Sequence, residues 1–179
     1  MGAYSKGKSI RKRDKSVYSR EEAGHWEADT VVSGQGKSKA CFATLAERKT
    51  RFYIAMKMSD RRAETMENAI VAALASFPPL LVKTITCERG AEFANWRKIE
   101  ERLHCEVYFA DPYCAWQKGT NENLNGLLRE FYPKGRNLSR VAPATLKRNL
   151  ALLNARPRKV LYFHSAQELW DFELNSCCT

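Results

Sequence analysis

Hydrophobic and polar positions repeat with two different periods along this chain, and the changes of period outline its elements. Trp26 to Val32 alternates with period two, which predicts a half-buried strand. Glu27, Asp29 and Val31 share one face of it, and Trp26, Ala28, Thr30 and Val32 share the other. Gly34-Gln35-Gly36-Lys37 makes a turn. Ala40 to Ala46 and Arg51 to Met58 predict two more strands, parted by Arg48-Lys49-Thr50, so the three form an antiparallel meander. From Arg61 to Phe77 the apolar residues fall at 66, 69, 70, 73, 74 and 77, a helical period that Pro78-Pro79 ends. Val82 to Thr86 is a β-branched run that predicts a buried strand. Residues 92–104 carry a helical stripe of Phe93, Trp96, Ile99 and Leu103, and Val107 to Ala110 is a short strand closed by Asp111-Pro112. Residues 112–119 read as a loop. Thr120 to Tyr132 is a helix stopped by Pro133 and Gly135, and residues 143–155 are a last helix stopped by Pro157. The tail 158–179 shows no clear pattern beyond a helical turn at 165–171.

A meander followed by helix–strand–helix–strand–helix is an α/β order. It predicts a mixed five-stranded sheet, antiparallel meander plus parallel strands, with helices on both faces. The chain divides into a basic, flexible arm over 1–20, a core over 21–140, and a C-terminal helix and tail over 141–179. No internal repeat is present.

Charge adds a partner class. The chain of 179 residues has a net charge of +10 and a pI near 9.4, which favours a polyanion. Residues 1–20 hold Lys6, Lys8, Arg11, Lys12, Arg13, Lys15 and Arg20 against Asp14 alone. Such a run can neutralise phosphates and release their counterions, although as a pattern it also describes a solvated tail. It carries too few large apolar residues for a membrane surface. No apolar run approaches the roughly 20 residues of a membrane span, and the polar N-terminus does not read as a signal peptide. A cytoplasmic location follows as the expectation. The six cysteines (41, 87, 105, 114, 177 and 178) form no CxxC pair, and the three histidines lie far apart, so zinc spacing is absent.

Candidate chemistry rests on three acidic motifs. They are His25-Trp26-Glu27-Ala28-Asp29-Thr30, Thr86-Cys87-Glu88-Arg89-Gly90-Ala91-Glu92-Phe93, and Trp116-Gln117-Lys118-Gly119-Thr120-Asn121-Glu122-Asn123. A carboxylate pair on a central strand is costly unless it meets metal, partners or water. Glu88 sits at the exit of a buried strand, where α/β sheets place their sites. On the helix that follows, Leu124, Leu127, Leu128 and Phe131 share one face, while Glu122, Asn125 and Arg129 share the opposite one. Each of these patterns alone also describes an edge strand, a turn or an ordinary surface helix. Together, distant carboxylates that gather in space are how a protein holds paired Mg²⁺ ions for phosphoryl chemistry.

These segments resemble the catalytic core of bacterial insertion-sequence DDE transposases of the insertion-sequence-30 group. The similar stretches are HWEADTV, the run from Thr44 to Phe52, TITCERGAEFANW, DPYCAWQKGTNENLNGLLREFYPKG and NARPRKVL, spread over roughly residues 20–170. The resemblance implies a ribonuclease H-like, integrase-type core. It implies Asp29, Glu88 and Glu122 as the catalytic, metal-binding acids, with 58 residues between the first two and 33 between the last two. It also implies Arg129, seven positions after Glu122, as a basic residue near the DNA ends. Asn125, Lys118, Lys12, Arg13, Arg156 and Arg158 are the further candidate nucleic-acid contacts. The implied cofactor is Mg²⁺ in a two-metal site, with Mn²⁺ as a substitute. The implied activity is strand cleavage and strand transfer at insertion-sequence ends in double-stranded DNA, by a homo-oligomer. The family carries Asp where this chain has Glu88, a methylene longer. That departure, and the lack of a match to the family's upstream helix-turn-helix, motivates a second reading. In it the chain is a catalytically impaired remnant that binds DNA or full-length transposase.

Overall fold

A computed structural model describes residues 7–177. Residues 1–6 of the expected arm, with Lys6, and Cys178 of the tail lie outside them. The described strands are β1 (Lys8–Ser9), β2 (His25–Val32), β3 (Cys41–Glu47), β4 (Tyr53–Met58), β5 (Thr84–Cys87) and β6 (Glu106–Phe109). The helices are α1 (Ala63–Leu74), α2 (Trp96–Leu103), α3 (Gly119–Phe131), α4 (Pro143–Ala155) and α5 (Ala166–Ser176). The strands form one sheet in the order β1-β6-β5-β2-β3-β4. β2, β3 and β4 make the antiparallel meander, and β2–β5, β5–β6 and β6–β1 pair in parallel. The α/β architecture is the expected one, with six strands rather than five.

The sixth strand comes from the arm. Lys8 and Ser9 pair with Tyr108 and Phe109, and Ile10 and Val17 are buried. Over its described part the arm therefore lies against the sheet instead of hanging free. The physical reason is that apolar Ile10 and Val17 interrupt the basic run and find a place at the sheet edge, which charge counting ignores.

Period two on the strands gives two cores. On one face Trp26, Ala28, Leu45, Ile85 and Val107 pack with Met66, Ile70 and Leu74 of α1 and Ile99 of α2. On the other face Val31, Phe42, Ala46 and Ala55 pack with Leu124 and Leu128 of α3 and Leu146 and Leu153 of α4. Burying one such aliphatic side chain contributes about 1.5–3 kcal/mol. This split fixes the site, because Glu27 and Asp29 point to the face that α3 covers.

α1 stops at Leu74, ahead of the Pro78-Pro79 pair that was expected to end it. α5 is a full helix rather than a single turn. A capping box closes its N-terminus, with Ser165 accepting from the Glu168 amide and Glu168 accepting from Ser165. Its Trp170 is 1% exposed and meets Trp26, Phe52 and Phe77 at ring separations of 5.0–5.3 Å. The tail, whose sequence shows no clear pattern beyond that turn, thus supplies a buried anchor to one core. Gly24 precedes β2 at φ +101°, where a Cβ would lie 2.8 Å from the Leu80 carbonyl oxygen, so only glycine lets the chain enter β2 at this point.

Candidate active site

The parallel register of β2 and β5 pairs Glu27 with Thr86, so Glu88, two residues on, emerges level with Asp29. Asp29 is half-buried and accepts a hydrogen bond at Oδ2 from Asn125 Nδ2 at 2.9 Å. Tyr53 in turn donates to Asn125 Oδ1 at 2.6 Å, which fixes the orientation of the amide. Glu88 stands at the mouth of the site with most of its side chain in solvent.

Between these two carboxylates lies the ammonium of Lys118. Its Nζ is 3.4 Å from Asp29 Oδ1 and 3.2 Å from Glu88 Oε1, and it donates to the Ala28 carbonyl oxygen at 3.3 Å. Lys118 is 3% exposed, so it is turned away from solvent rather than offered to a phosphate on the surface. A β-strand exit and a helix start bring a cation and two acids together, and nothing in the local spacing of Lys118 announces that.

Glu122 lies in the first turn of α3, exposed, and makes no hydrogen bond or ion pair among the described residues. It is one helical turn before Asn125, which touches Asp29. Among the described residues no three His, Cys, Asp or Glu side chains are gathered to hold a metal ion. The structure therefore brings Asp29 and Glu88 together around one cation and leaves Glu122 apart. The donor set fits a hard divalent ion: two carboxylates and a main-chain carbonyl already surround a positive charge, and Mg²⁺ takes oxygen ligands of these kinds.

α3 is held on the sheet by a buried polar cluster. Glu27 is fully buried and is bound by Arg48 Nη1. Its Oε2 accepts from the Asn121 amide at 2.8 Å, and Asn121 Nδ2 donates to the Glu27 carbonyl oxygen at 2.6 Å. Thr44 donates to Asn121 Oδ1 at 3.1 Å. His25 bridges Thr84, at 2.9 Å from Nδ1, and Glu22, at 3.1 Å from Nε2. The first acidic motif thus divides: Asp29 faces the chemistry, while His25, Trp26 and Glu27 fasten β2 to β5, to the core and to α3.

The other candidate contacts separate by exposure. Arg13 is 3% exposed, and its Nη1 donates to Thr86 Oγ1 at 2.8 Å, so this residue of the arm is turned inward. Burial, with Arg48 nearby, holds its pKa below the ordinary guanidinium value. Arg129 is half-buried and donates to the carbonyls of Val32 and Tyr132, both at 3.3 Å, tying the end of α3 to β2. Arg156 is exposed and pairs with Glu130 at 3.0 Å, and Lys12 is exposed. Arg158 donates to the carbonyls of Arg51 and Leu153 at 3.2 and 2.9 Å.

Asp29, within β2, and Glu88, just past the end of the adjacent parallel strand β5, thus sit level with one another beside the helix that carries Glu122. Residues 19–115 match the model of the integrase core domain, and the chain belongs to that family. It is 37% identical, over 92% of its length, to the probable transposase for insertion-like sequence element IS1161 of Streptococcus salivarius, covering 46% of that protein. It is 36% identical, over 91% of its length, to transposase InsI for insertion sequence element IS30C of Escherichia coli (strain K12), covering 42%. The transposase for insertion sequence element IS1086 of Cupriavidus metallidurans is 38% identical over 88% of the chain, with 46% of that protein covered. The chain thus spans less than half the length of these three relatives. Two solved structures share the fold. The catalytic core domain of BIV integrase superposes with a TM-score of 0.65 at 15% identity, over 88% of this chain and 99% of that one. The HTLV-2 integrase catalytic core domain, solved in complex with magnesium, gives 0.59 at 14% identity, over 82% and 95%. The fold is ribonuclease H-like, as the sequence resemblance implied.

Proposed function

We propose that this chain is the catalytic part of a transposase that cuts double-stranded DNA at insertion-sequence ends and joins the freed 3′-hydroxyl to a target strand. The observation that carries the reading is the convergence of Asp29 and Glu88 on one cation position inside an integrase core. Similarity to insertion-sequence transposases over about nine-tenths of the chain supports it. Asp29, Glu88 and Glu122 are the proposed acids, and Asn125 is the residue that orients Asp29. Glu122, which stands apart from the pair in the structure, is proposed to join it when metal binds, from the first turn of α3 that the Glu27–Asn121 bonds hold in place. Mg²⁺ or Mn²⁺, bound by these acids as a pair, would polarise the scissile phosphate and lower the pKa of the attacking oxygen. The proposed setting is the cytoplasm, with double-stranded DNA and further copies of the chain as partners. No helix among the described residues is long and apolar enough to cross a membrane.

The non-enzymatic reading has one observation of its own. Glu88 is a methylene longer than the family's Asp, and it is engaged by Lys118 at 3.2 Å. Nicking of supercoiled plasmid in Mg²⁺ and in Mn²⁺ separates the two. The natural chain is expected to nick slowly and Asp29→Asn to abolish nicking. Glu88→Asp is expected to speed it on the order of 10²-fold, since about 1 Å of misplacement costs that much. Nicking by Asp29→Asn at the natural rate would sink the catalytic assignment. Duplex binding without nicking, by both the natural chain and Glu88→Asp, would favour the non-enzymatic reading.

A further inference from the structure

A second positively charged feature lies beside the acids. A cavity of about 300 Å³ opens at the N-terminus of α3 and is lined by Arg20, Arg51 and Arg158 together with Gly119, Thr120 and Asn123. No carboxylate lines it. Among the described residues, none of the three guanidiniums forms an ion pair. The two acids whose charge acts on Arg20, Glu27 and Glu47, are committed elsewhere. Glu27 is bound by Arg48 and Asn121, and Glu47 accepts from Gly24 and Thr50. Three positive charges around one space, with no counter-charge in it, are unfavourable unless an anion enters.

Other features point the same way. Burial, with Arg48 close by, lowers the pKa of Arg20, and burial, with Arg156 close by, lowers that of Arg158. Arg158 Nε is buried without a hydrogen-bond partner. Arg20 and Arg51 both sit in the left-handed backbone region, at φ +60° and +61°, which an arginine occupies only where its surroundings impose it. Arg51 Nη1 donates to Thr120 Oγ1 at 3.1 Å, which sets the guanidinium against the first turn of α3. That helix has no side-chain cap, and its N-terminal end favours negative charge.

We propose that this cavity is a binding site for a phosphate of the DNA backbone, distinct from the Asp29–Glu88 centre. Arginine forks match phosphate oxygens in geometry as well as in charge. Of the cavity-lining residues of α3, Thr120 lies about 100° round the helix from Asn121, which faces the Glu27 cluster, and Gly119 and Asn123 about 160°, so the two sites flank one rigid element. A duplex phosphate anchored on the arginine side fixes where the strand crosses the acids. Its role is to position the strand, as phosphate contacts do.

The proposal rests on the DNA-processing reading, and the test separates their failures. Binding of a fluorescein-labelled duplex is followed by anisotropy over a range of KCl without divalent metal, so that no cutting interferes. The proteins are the natural chain, Arg20→Gln, Arg51→Lys, and an Arg97→Gln/Lys98→Gln control on the opposite face. Thermal melts establish that each variant folds. Losing one phosphate contact flattens the plot of log affinity against log salt by about one unit. Arg20→Gln is expected to show that loss. Arg51→Lys is expected to keep the slope and weaken binding, because the charge stays and the fork goes. The control is expected to match the natural chain. If folded Arg20→Gln and Arg51→Lys both bind as the natural chain does, the cavity is not a phosphate site although the DNA reading stands. If the natural chain binds no duplex at any salt concentration, the DNA reading falls and the proposal falls with it.

Discussion

Lys118 shows how one side chain changes the meaning of its neighbours. Its ammonium lies between Asp29 and Glu88 and offsets part of their negative charge from within the protein, at the position proposed for a divalent ion. Lys118→Met removes that charge and leaves two carboxylates facing one another. The expected cost in chelator is about 1 kcal/mol, or roughly 2–4 °C in Tm for a chain of this size. Added Mn²⁺ is expected to raise the Tm of Lys118→Met more than that of the natural chain, because metal no longer competes with the ammonium. Equal Tm shifts in a melt of both proteins would show that Lys118 and metal do not share a position. Glu27 carries the opposite lesson. It reads as a possible active-site acid, since it lies two residues from Asp29 on the same face. It is instead fully buried and bonded to Arg48 and Asn121. Glu27→Gln leaves the Arg48 guanidinium buried without its counter-charge, at a cost of about 3–5 kcal/mol in urea unfolding.

At the scale of elements, β2 and α3 carry the site, and each was readable as an element from periodicity. What joins them is not periodic. Asn121 bridges β2 and β3 by bonding the Glu27 carbonyl and Thr44, and no sequence rule marks that residue apart from Asn123. His25 performs a similar service between β2 and β5. Burial, outweighing the attraction of Glu22, lowers its pKa from an ordinary value near 6.5, and Lys83 and Arg13 act in the same direction. The neutral ring is thus favoured in the folded chain, and the unfolded chain takes up the proton first as pH falls. The stability that His25 contributes is complete above about pH 6.5 and is lost as pH falls through the lowered folded value. Urea midpoints measured between neutral pH and mild acid are expected to fall for the natural chain. The fall is expected to be shallower for His25→Gln; identical profiles would remove His25 as the cause.

At the scale of the whole molecule, the two ends of the described chain close the fold. β1 extends the sheet beside β6, and α5 drives Trp170 into the cluster of Trp26, Phe52 and Phe77. Trp170→Ala is expected to destabilise the chain by about 3–5 kcal/mol, because the cavity it leaves is bounded by aromatic rings on several elements. A loss below about 1 kcal/mol, read by calorimetry, would mean that α5 is an appendage. Both ends were poorly legible in the sequence. β1 has only two residues, too few to show a period, and α5 mixes charged and apolar positions around its Trp170 anchor.

Sequence by itself determined the order of the elements from β2 to α4, the face of β2 on which Asp29 lies and the strand exit that presents Glu88. All three follow from local periodicity, turn residues and chain direction. Similarity across the acidic motifs brought the family into view before any contact was known. Tertiary structure alone decided which charged groups meet. It placed Lys118 between Asp29 and Glu88, turned Arg13 inward, committed Glu27 to Arg48 and gathered Arg20, Arg51 and Arg158 around one cavity. Those outcomes depend on distances between residues far apart in the chain, and burial then sets whether a charge faces solvent, a partner or another charge. Neither composition nor period carries that information.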